Sequence, residues 1–208
     1  MFKIDLHVHT VLGGDSLIDP DEIVPQAIKV GLDAVCITEH HSYDCSEPLV
    51  EISRKSGYPV FRGMEYRAAE GHLLVYGVRC GRGDFQPGLP MQKVADWVHA
   101  RGGVAIPAHP YQKGLLGECL ADRVLKLKGL CALETLNGSL TLQENQRASE
   151  AAGRLGIKGI GGSDAHGIHV LGRAYTCFSA PLKNGDDLAG ALLEGKYFPC
   201  WNDFHFKS

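Results

Sequence analysis

The sequence lacks the features of a membrane protein, of a disulfide-stabilised secreted protein and of a protein that binds long nucleic acid. Its apolar runs end well before the ~20 residues that a membrane span requires, and Met1 leads directly into a strand-like segment, so neither a span nor a signal peptide is expected. The seven cysteines form no CxxC pair and their number is odd, which favours reduced thiols and a cytoplasmic location. A net charge of -3 provides no basic surface for long nucleic acid, although a local pocket can still bind one phosphate.

The remaining composition is that of a globular protein, with 44% hydrophobic and 22% charged residues. A chain of 208 residues suits one domain, and no linker divides residues 1–208. Apolar segments alternate with helical patterns about seven times, which indicates a parallel α/β architecture, and a closed or nearly closed barrel accommodates this number better than an open sheet. The predicted strands cover residues 2–8, 33–38, 59–64, 73–76, 104–107, 130–134, 158–160 and 173–178.

Histidine is abundant, with ten residues, and several histidines occur with carboxylates at the ends of predicted strands. His7 and His9 are two residues apart on a strand, so both imidazoles point to one face and can bind one cation. In α/β barrels the C-terminal ends of the strands converge on the active site, so polar residues at these positions are expected to meet. The candidates at the other strand termini are His40, Glu65, His72, His109, Asp164 and His166.

This combination of imidazole and carboxylate without thiolate suits zinc, manganese or iron. The set exceeds what one tetrahedral ion needs, so we expect two or three divalent ions, with Glu65 as the natural bridge between neighbouring ions. Closely spaced ions orient a phosphoryl group and activate a water molecule. The sequence therefore predicts hydrolysis of a small phosphorylated substrate such as a nucleotide, a sugar phosphate or an amino-alcohol phosphate.

Five motifs, in order along almost the whole chain, resemble those of the PHP (polymerase and histidinol phosphatase) family: DLHVHT at 5–10, ITEHH at 37–41, GMEY at 63–66, AHP at 108–110 and GSDAH at 162–166. The resemblance implies a distorted seven-stranded (β/α) barrel, similar to a TIM barrel, with its active site at the C-terminal ends of the strands. It also implies a trinuclear metal centre and activities that include histidinol-phosphate phosphatase, nucleotide phosphoesterase and polymerase-associated exonuclease. Two positions depart from the family pattern: Glu39 stands where aspartate is common, and Gly13-Gly14-Asp15-Ser16 replaces the commoner Ser-Asp-Gly.

Carried over by position, the resemblance groups the candidate ligands around three ions. The first ion would be bound by His7, His9, Glu65 and Asp164, the second by Glu65, His72 and His109, and the third by Asp15, His40 and His166. Asp164 and Glu65 would act in catalysis through a metal-bound water. Arg173 would contact the substrate phosphate through its guanidinium group, while Arg67 and Asn137 are further candidates to line the pocket.

Two other functions fit parts of the pattern. An amidohydrolase-like enzyme that cleaves a C–N bond also combines an HxH pair with a late aspartate on a barrel, but that group usually has a longer chain and lacks the GSDAH ending. A non-catalytic metal-binding domain of the same family would be expected to have lost ligands. No ligand is plainly missing from this sequence, so a phosphoesterase is the favoured hypothesis.

Overall fold

The computed structural model describes residues 1–113 and 119–203, which contain ten β-strands and five α-helices. The strands are β1 (Phe2–Val8), β2 (Ala34–Ile37), β3 (Val60–Arg62), β4 (Met64–Arg67), β5 (His72–Tyr76), β6 (Val104–Pro107), β7 (Ala132–Asn137), β8 (Lys158–Gly162), β9 (Ala174–Phe178) and β10 (Tyr197–Trp201). The helices are α1 (Pro20–Lys29), α2 (Pro48–Ser56), α3 (Met91–His99), α4 (Leu142–Leu155) and α5 (Gly185–Glu194), with short 3-10 helices at Tyr43–Ser46 and Ala121–Lys126.

The strands form three hydrogen-bonded sheets. The largest has the order β10-β9-β1-β2-β3, the second has the order β4-β5-β6, and the third pairs β7 with β8. The pairs within β1-β2-β3 and β7-β8 are parallel, whereas β4-β5-β6 and β1-β9-β10 are antiparallel. The structure therefore confirms the predicted α/β class and shows that its strand pairing is mixed. The expectation of a uniformly parallel sheet is wrong. Closure into a barrel is not confirmed, since the strands of the described residues form three separate sheets.

The departures from the expected strands have local causes. The predicted strand over 59–64 is divided at Gly63 into β3, which pairs with β2, and the start of β4, which pairs with β5. A Cβ atom on Gly63 would lie only 2.8 Å from the Val75 carbonyl oxygen, so glycine permits this close approach. The link from β4 to β5 is a turn in which Ala68 N donates to Gly71 O at 2.8 Å, and a turn this short can join only antiparallel strands.

Helices α1 and α4 begin with capping boxes. Asp19 and Glu22 form the box of α1, and Thr141 and Glu144 form that of α4; both satisfy amide groups that have no partner within the first helical turn. Helix α4 ends at Gly156, whose φ of 66° is a left-handed conformation that favours glycine. No helix in the described parts of the chain is long and apolar enough to cross a membrane.

An apolar core between the sheets fixes the positions of the strands that carry the candidate ligands. The side chains of Ile4 and Leu6 on β1, Leu74 on β5, Ile106 on β6 and Ile160 on β8 belong to one cluster, and each has 0% exposure. Complete burial of such a side chain stabilises a fold by about 1.5–3 kcal/mol. Because this packing holds strands from all three sheets together, the polar residues beyond the strand ends are brought to one place.

Candidate metal centre

All nine candidate ligands lie in one continuous cluster at a single edge of the fold. His7 and His9 follow the alternation of β1, Glu65 lies on β4, and His109 and Asp164 follow β6 and β8. His72 joins them although it begins its strand, because β5 is antiparallel to β4 and its first residue lies opposite the last residue of β4. Groups of donor atoms within 4.8 Å of one another connect the full set, which is His7, His9, Asp15, His40, Glu65, His72, His109, Asp164 and His166.

Four buried side chains converge at the centre of the cluster. Glu65 Oε2 lies 3.2 Å from His7 Nε2 and 3.1 Å from His9 Nε2, and these two nitrogens are 3.1 Å apart. Asp164 Oδ1 lies 3.5 Å and 3.6 Å from the same nitrogens. Donor atoms bound tetrahedrally at the metal–ligand distances of zinc sites are roughly 3.3 Å apart, so the three atoms of His7, His9 and Glu65 fit one divalent ion, and Asp164 lies beside both histidines and forms a further group with His7 and His109.

Proton positions strengthen this fit. His7 Nδ1 lies 2.9 Å from Glu134 Oε1, and because an ionised carboxylate only accepts hydrogen bonds, Nδ1 carries a proton in this contact. The other ring nitrogen, Nε2, faces the oxygens of Glu65 and Asp164 and His9 Nε2, and a proton or a cation must lie between it and these atoms. Lone pairs that face one another in a buried site repel unless a proton or a cation lies between them.

The charges of the central group also favour a bound cation. Burial raises the pKa of Asp164, but His7 and His109 outweigh it and bring that pKa down to about 2. Burial likewise raises the pKa of Glu65, while His7 and His72 hold it well below its usual range. Burial lowers the pKa of His7, yet the carboxylates of Asp164, Glu134 and Glu65 raise it well above its usual range. The buried site is thus rich in ionised carboxylates and attracts positive charge.

Glu65 also belongs to a second group of donors. Its Oε1 atom lies 2.8 Å from His72 Nδ1 and 3.0 Å from His109 Nε2, whereas its Oε2 atom faces the central group. The two oxygens of one carboxylate therefore point toward two sets of imidazoles. This arrangement is suited to a bridge between neighbouring ions.

A third group is more exposed to solvent. Asp15 Oδ2 lies 3.0 Å from His40 Nε2 and 3.5 Å from His166 Nε2, and the side chains of Asp15 and His166 are 38% and 41% exposed. The ring of His9 stacks against those of His40 and His166, at centroid distances of 4.8 Å and 4.4 Å. Burial lowers the pKa of His40 to about 4 despite the opposing effect of Glu65, which leaves this imidazole neutral and able to bind a cation at pH 7.

Two of the buried candidates have unusual backbone conformations. His109 has φ 27° and Asp164 has φ 52°, both in the left-handed region that side chains with a Cβ seldom adopt. Such conformations cost on the order of 1–3 kcal/mol each and persist where the surroundings enforce them, which is common at functional sites. Asp164 is held by its N–H, which donates to His7 O at 2.7 Å, and His109 by its N–H, which donates to Glu134 Oε2 at 2.8 Å.

Glu134 is a site residue that the sequence reasoning missed. Its Oε1 accepts from His7 Nδ1, and its Oε2 accepts from the His109 backbone and from Asn137 Nδ2 at 3.1 Å. Asn137 also donates to Asp164 Oδ2 at 3.2 Å, so it orients two carboxylates at once. The signal available in the sequence was the position of Glu134 near the end of an apolar strand, the same signal that identified Glu65.

The two arginines expected near the substrate phosphate, Arg173 and Arg67, differ in their position relative to the cluster. Arg173 immediately precedes β9, and within the described part of the chain its side chain forms no hydrogen bond or ion pair with the cluster. Arg67 lines two cavities that adjoin the candidate ligands and share His72. One cavity, of about 470 Å³, also contains His109 in its lining, and the other, of about 340 Å³, is lined by Asp15 and His40 among others.

Together the fold and the cluster define a mixed α/β protein with a polynuclear imidazole–carboxylate site at one edge of its sheets. Comparison with known protein families identifies the family within this class. The PHP domain matches residues 5–164, and the PHP-associated region matches residues 143–197. The chain belongs to the PHP domain family, the family that its five motifs resemble.

Individual proteins show the same relationship. An uncharacterized protein of Methanocaldococcus jannaschii is 29% identical over 135 residues, which cover 60% of this chain and 76% of that protein. A two-domain protein from Bacteroides vulgatus that contains a predicted PHP-like metal-dependent phosphoesterase shares the fold with a TM-score of 0.75 and 21% identity over 97% of this chain. Endonuclease Q, solved with a 27-mer duplex that carries an abasic lesion, shares it with a TM-score of 0.66 and 16% identity over 95% of this chain. The chain spans 65% and 58% of the lengths of these two solved chains.

Proposed function

We propose that this protein is a metal-dependent phosphoesterase that hydrolyses a small phosphate ester, such as a nucleotide, a sugar phosphate or a histidinol-phosphate-like compound. The observation that carries the proposal is the convergence of nine imidazole and carboxylate side chains whose donor atoms form connected groups within 4.8 Å of one another. Membership of the PHP family, some of whose structural relatives are described as metal-dependent phosphoesterases, supports the same reaction class.

The proposed ligands form three sets, for two or three zinc, manganese or iron ions. His7, His9, Glu65 and Asp164 form the central set, Glu65, His72 and His109 the second, and Asp15, His40 and His166 the outer set. When bound, closely spaced divalent ions polarise a phosphoryl group and activate a water molecule as the nucleophile. Glu65 would bridge two sets, and Asp164, which lies beside His7 and His9, would serve as an acceptor for a proton of the attacking water.

The walls of the two cavities provide the substrate contacts in this proposal. Arg67 borders both cavities beside His72, where a guanidinium can form two hydrogen bonds to a phosphate. Arg173 remains a second candidate for this contact, at the start of β9. The net charge of -3 favours a small anionic substrate bound locally, although the fold is shared with an enzyme that acts on duplex DNA, so a long nucleic acid is not excluded as a partner.

We also propose that residues 1–208 act as one domain in the cytoplasm, a location supported by seven cysteines that are all free thiols. A non-catalytic metal-binding role is less well supported, because every expected ligand lies within the cluster.

The test is hydrolysis of p-nitrophenyl phosphate and bis(p-nitrophenyl) phosphate by the purified protein with added manganese, compared with chelated protein. The expected result is turnover of at least one ester that disappears on chelation and returns with metal. Metal binding without turnover of either ester would indicate a non-catalytic domain. Cleavage of p-nitroacetanilide in place of the esters would indicate a C–N hydrolase, and cleavage of duplex DNA alone would contradict the small substrate.

A further inference from the structure

Besides His41 Nδ1, two buried side-chain polar atoms have no hydrogen-bond partner among the described residues, and both lie beside the proposed metal centre. They are His9 Nδ1 and Glu39 Oε2, which lie 3.9 Å apart. Both side chains have 0% exposure, so neither atom is open to bulk solvent. A buried polar group without a partner costs roughly 1–3 kcal/mol, and a small rotation of either side chain would bring the two atoms into hydrogen-bond distance.

The rest of the Glu39 carboxylate is fixed by Thr10. Thr10 N donates to Glu39 Oε1 at 3.1 Å, and Thr10 Oγ1 donates to the same oxygen at 2.5 Å. One oxygen thus accepts two hydrogen bonds from the residue next to His9, while the other is directed toward the His9 ring. Thr10 thereby determines which oxygen faces His9.

The neighbouring histidine has a completed version of this arrangement. His7 Nδ1 lies 2.9 Å from Glu134 Oε1, and the second oxygen of Glu134 accepts from the His109 backbone. In both cases a buried glutamate uses one oxygen on backbone or hydroxyl donors and offers the other to the Nδ1 atom of an HxH histidine. Such a contact fixes the tautomer of a metal-binding imidazole and leaves Nε2 free to bind the metal.

Space for the Glu39 side chain depends on Gly13. A Cβ atom at position 13 would overlap with Glu39 Oε2, and it would also lie 3.1 Å from Glu39 Cδ. The two departures from the family pattern, a glutamate at 39 and a glycine at 13, are therefore in direct contact. The longer carboxylate and the absent side chain are complementary.

We propose that Glu39 is a positioning residue that holds the His9 ring with its proton on Nδ1 and its Nε2 lone pair toward the central donor set, and that Gly13 provides the space for it. The inference rests on the proposed function in one respect, the role of His9 as a ligand. The pairing itself is a property of the metal-free protein.

The variant Glu39→Gln tests the proposal because its effect on the proton is predictable. Thr10 presents two donors, so the amide oxygen faces Thr10 and the amide NH₂ faces His9 Nδ1. His9 Nδ1 must then accept, and the ring proton moves to Nε2. We expect long-range 1H–15N correlations of the metal-free proteins to show the proton on Nδ1 in the wild type and on Nε2 in the variant.

Zinc binding provides the second measurement, by calorimetric titration of the metal-free protein. We expect Glu39→Gln to weaken one zinc site by about 10–100-fold, the usual effect of removing a carboxylate that orients a ligand histidine. The exposed glutamate of α4, in the variant Glu150→Gln, is the matched control and should leave both measurements unchanged. A wild-type His9 proton on Nε2, or unchanged zinc affinity in Glu39→Gln, would overturn the proposal.

A second set of variants guards against misfolding of Glu39→Gln. Gly13→Ala should weaken zinc binding in the wild-type background, and it should do so much less in a Glu39→Asp background, because the shorter carboxylate leaves room for the Cβ atom. Equal effects in the two backgrounds would contradict the link between Gly13 and Glu39. Failure of the wild type to bind any divalent ion would refute the proposed function, whereas normal binding and turnover with the wrong His9 tautomer would refute only this inference.

Discussion

Replacing Asp164 with asparagine removes the charge of the buried carboxylate at the centre of the cluster with little change in shape. Asp164 Oδ1 lies 3.5–3.6 Å from three imidazole nitrogens, those of His7, His9 and His166. Its pKa of about 2 keeps it ionised at neutral pH. The backbone φ of 52° is one that asparagine tolerates, so the substitution adds no new strain. The loss is therefore expected in chemistry and not in folding.

The expected magnitude follows from the two roles of this carboxylate. It contributes charge to the proposed central ion, and it is an acceptor for the proton of the attacking water, a function typically worth about 10²–10⁴-fold in rate. That range corresponds to roughly 3–5 kcal/mol of transition-state stabilisation. Asp15, whose side chain is 38% exposed and pairs with His40 and His166, should orient substrate more than activate water. Asp15→Asn should therefore mainly raise KM, by about tenfold, and excess metal should restore part of the loss.

The assay is steady-state hydrolysis of a p-nitrophenyl ester by wild type, Asp164→Asn and Asp15→Asn across a manganese titration. We expect the Asp164 defect to persist in kcat at saturating manganese, and circular dichroism of both variants to match the wild type. Equal defects that manganese rescues in both variants would show that the nucleophile is assigned to the wrong set of ligands.

Three further predictions concern the same site. His9→Ala and His109→Ala should each abolish most hydrolysis while leaving the far-UV circular dichroism nearly unchanged, and wild-type turnover of either variant at saturating metal would remove that histidine from the ligand set. Glu134→Gln should weaken metal binding by about 10–100-fold, because Glu134 orients His7 and the His109 backbone; calorimetry with zinc measures this, and unchanged affinity would contradict the orienting role. Metal at 100 times its Kd should stabilise the fold by about 2.7 kcal/mol, which for a chain of this size raises Tm by about 5–11 °C in differential scanning calorimetry, and an identical Tm for loaded and chelated protein would argue against binding to the native state.

The parts of the fold that the sequence predicted well are those that depend on local periodicity. A short apolar segment predicted β1 over Phe2–Val8, and the apolar run around Cys36 predicted β2. The sheet to which each strand belongs was not predictable in the same way, because the division at Gly63 depends on contact with Val75, which is distant in sequence. The last strand, β10, was missed, since its pairing with β9 and not an alternating pattern determines it.

The candidate site was more predictable than the sheet topology. Ligands such as His7 and His9 lie on one strand at a spacing that fixes their common face, and no knowledge of other strands is needed. His72 was placed at a strand terminus, but only the antiparallel pairing of β5 with β4 explains why the start of a strand lies at the site. Glu134 escaped prediction because its role is to orient His7 through a contact across 127 residues of sequence, and no local pattern encodes such a contact.

The central claim is that the cluster binds divalent ions through imidazole nitrogen and carboxylate oxygen. Elemental analysis of protein loaded with manganese or zinc, followed by anomalous diffraction from its crystals, tests this most directly. We predict two or three ions per chain, with one between His7, His9, Glu65 and Asp164 and none bound by sulfur, since the cysteines lie outside the cluster. A single cysteine-bound ion in a fully loaded sample, or ions found only away from these residues, would contradict it.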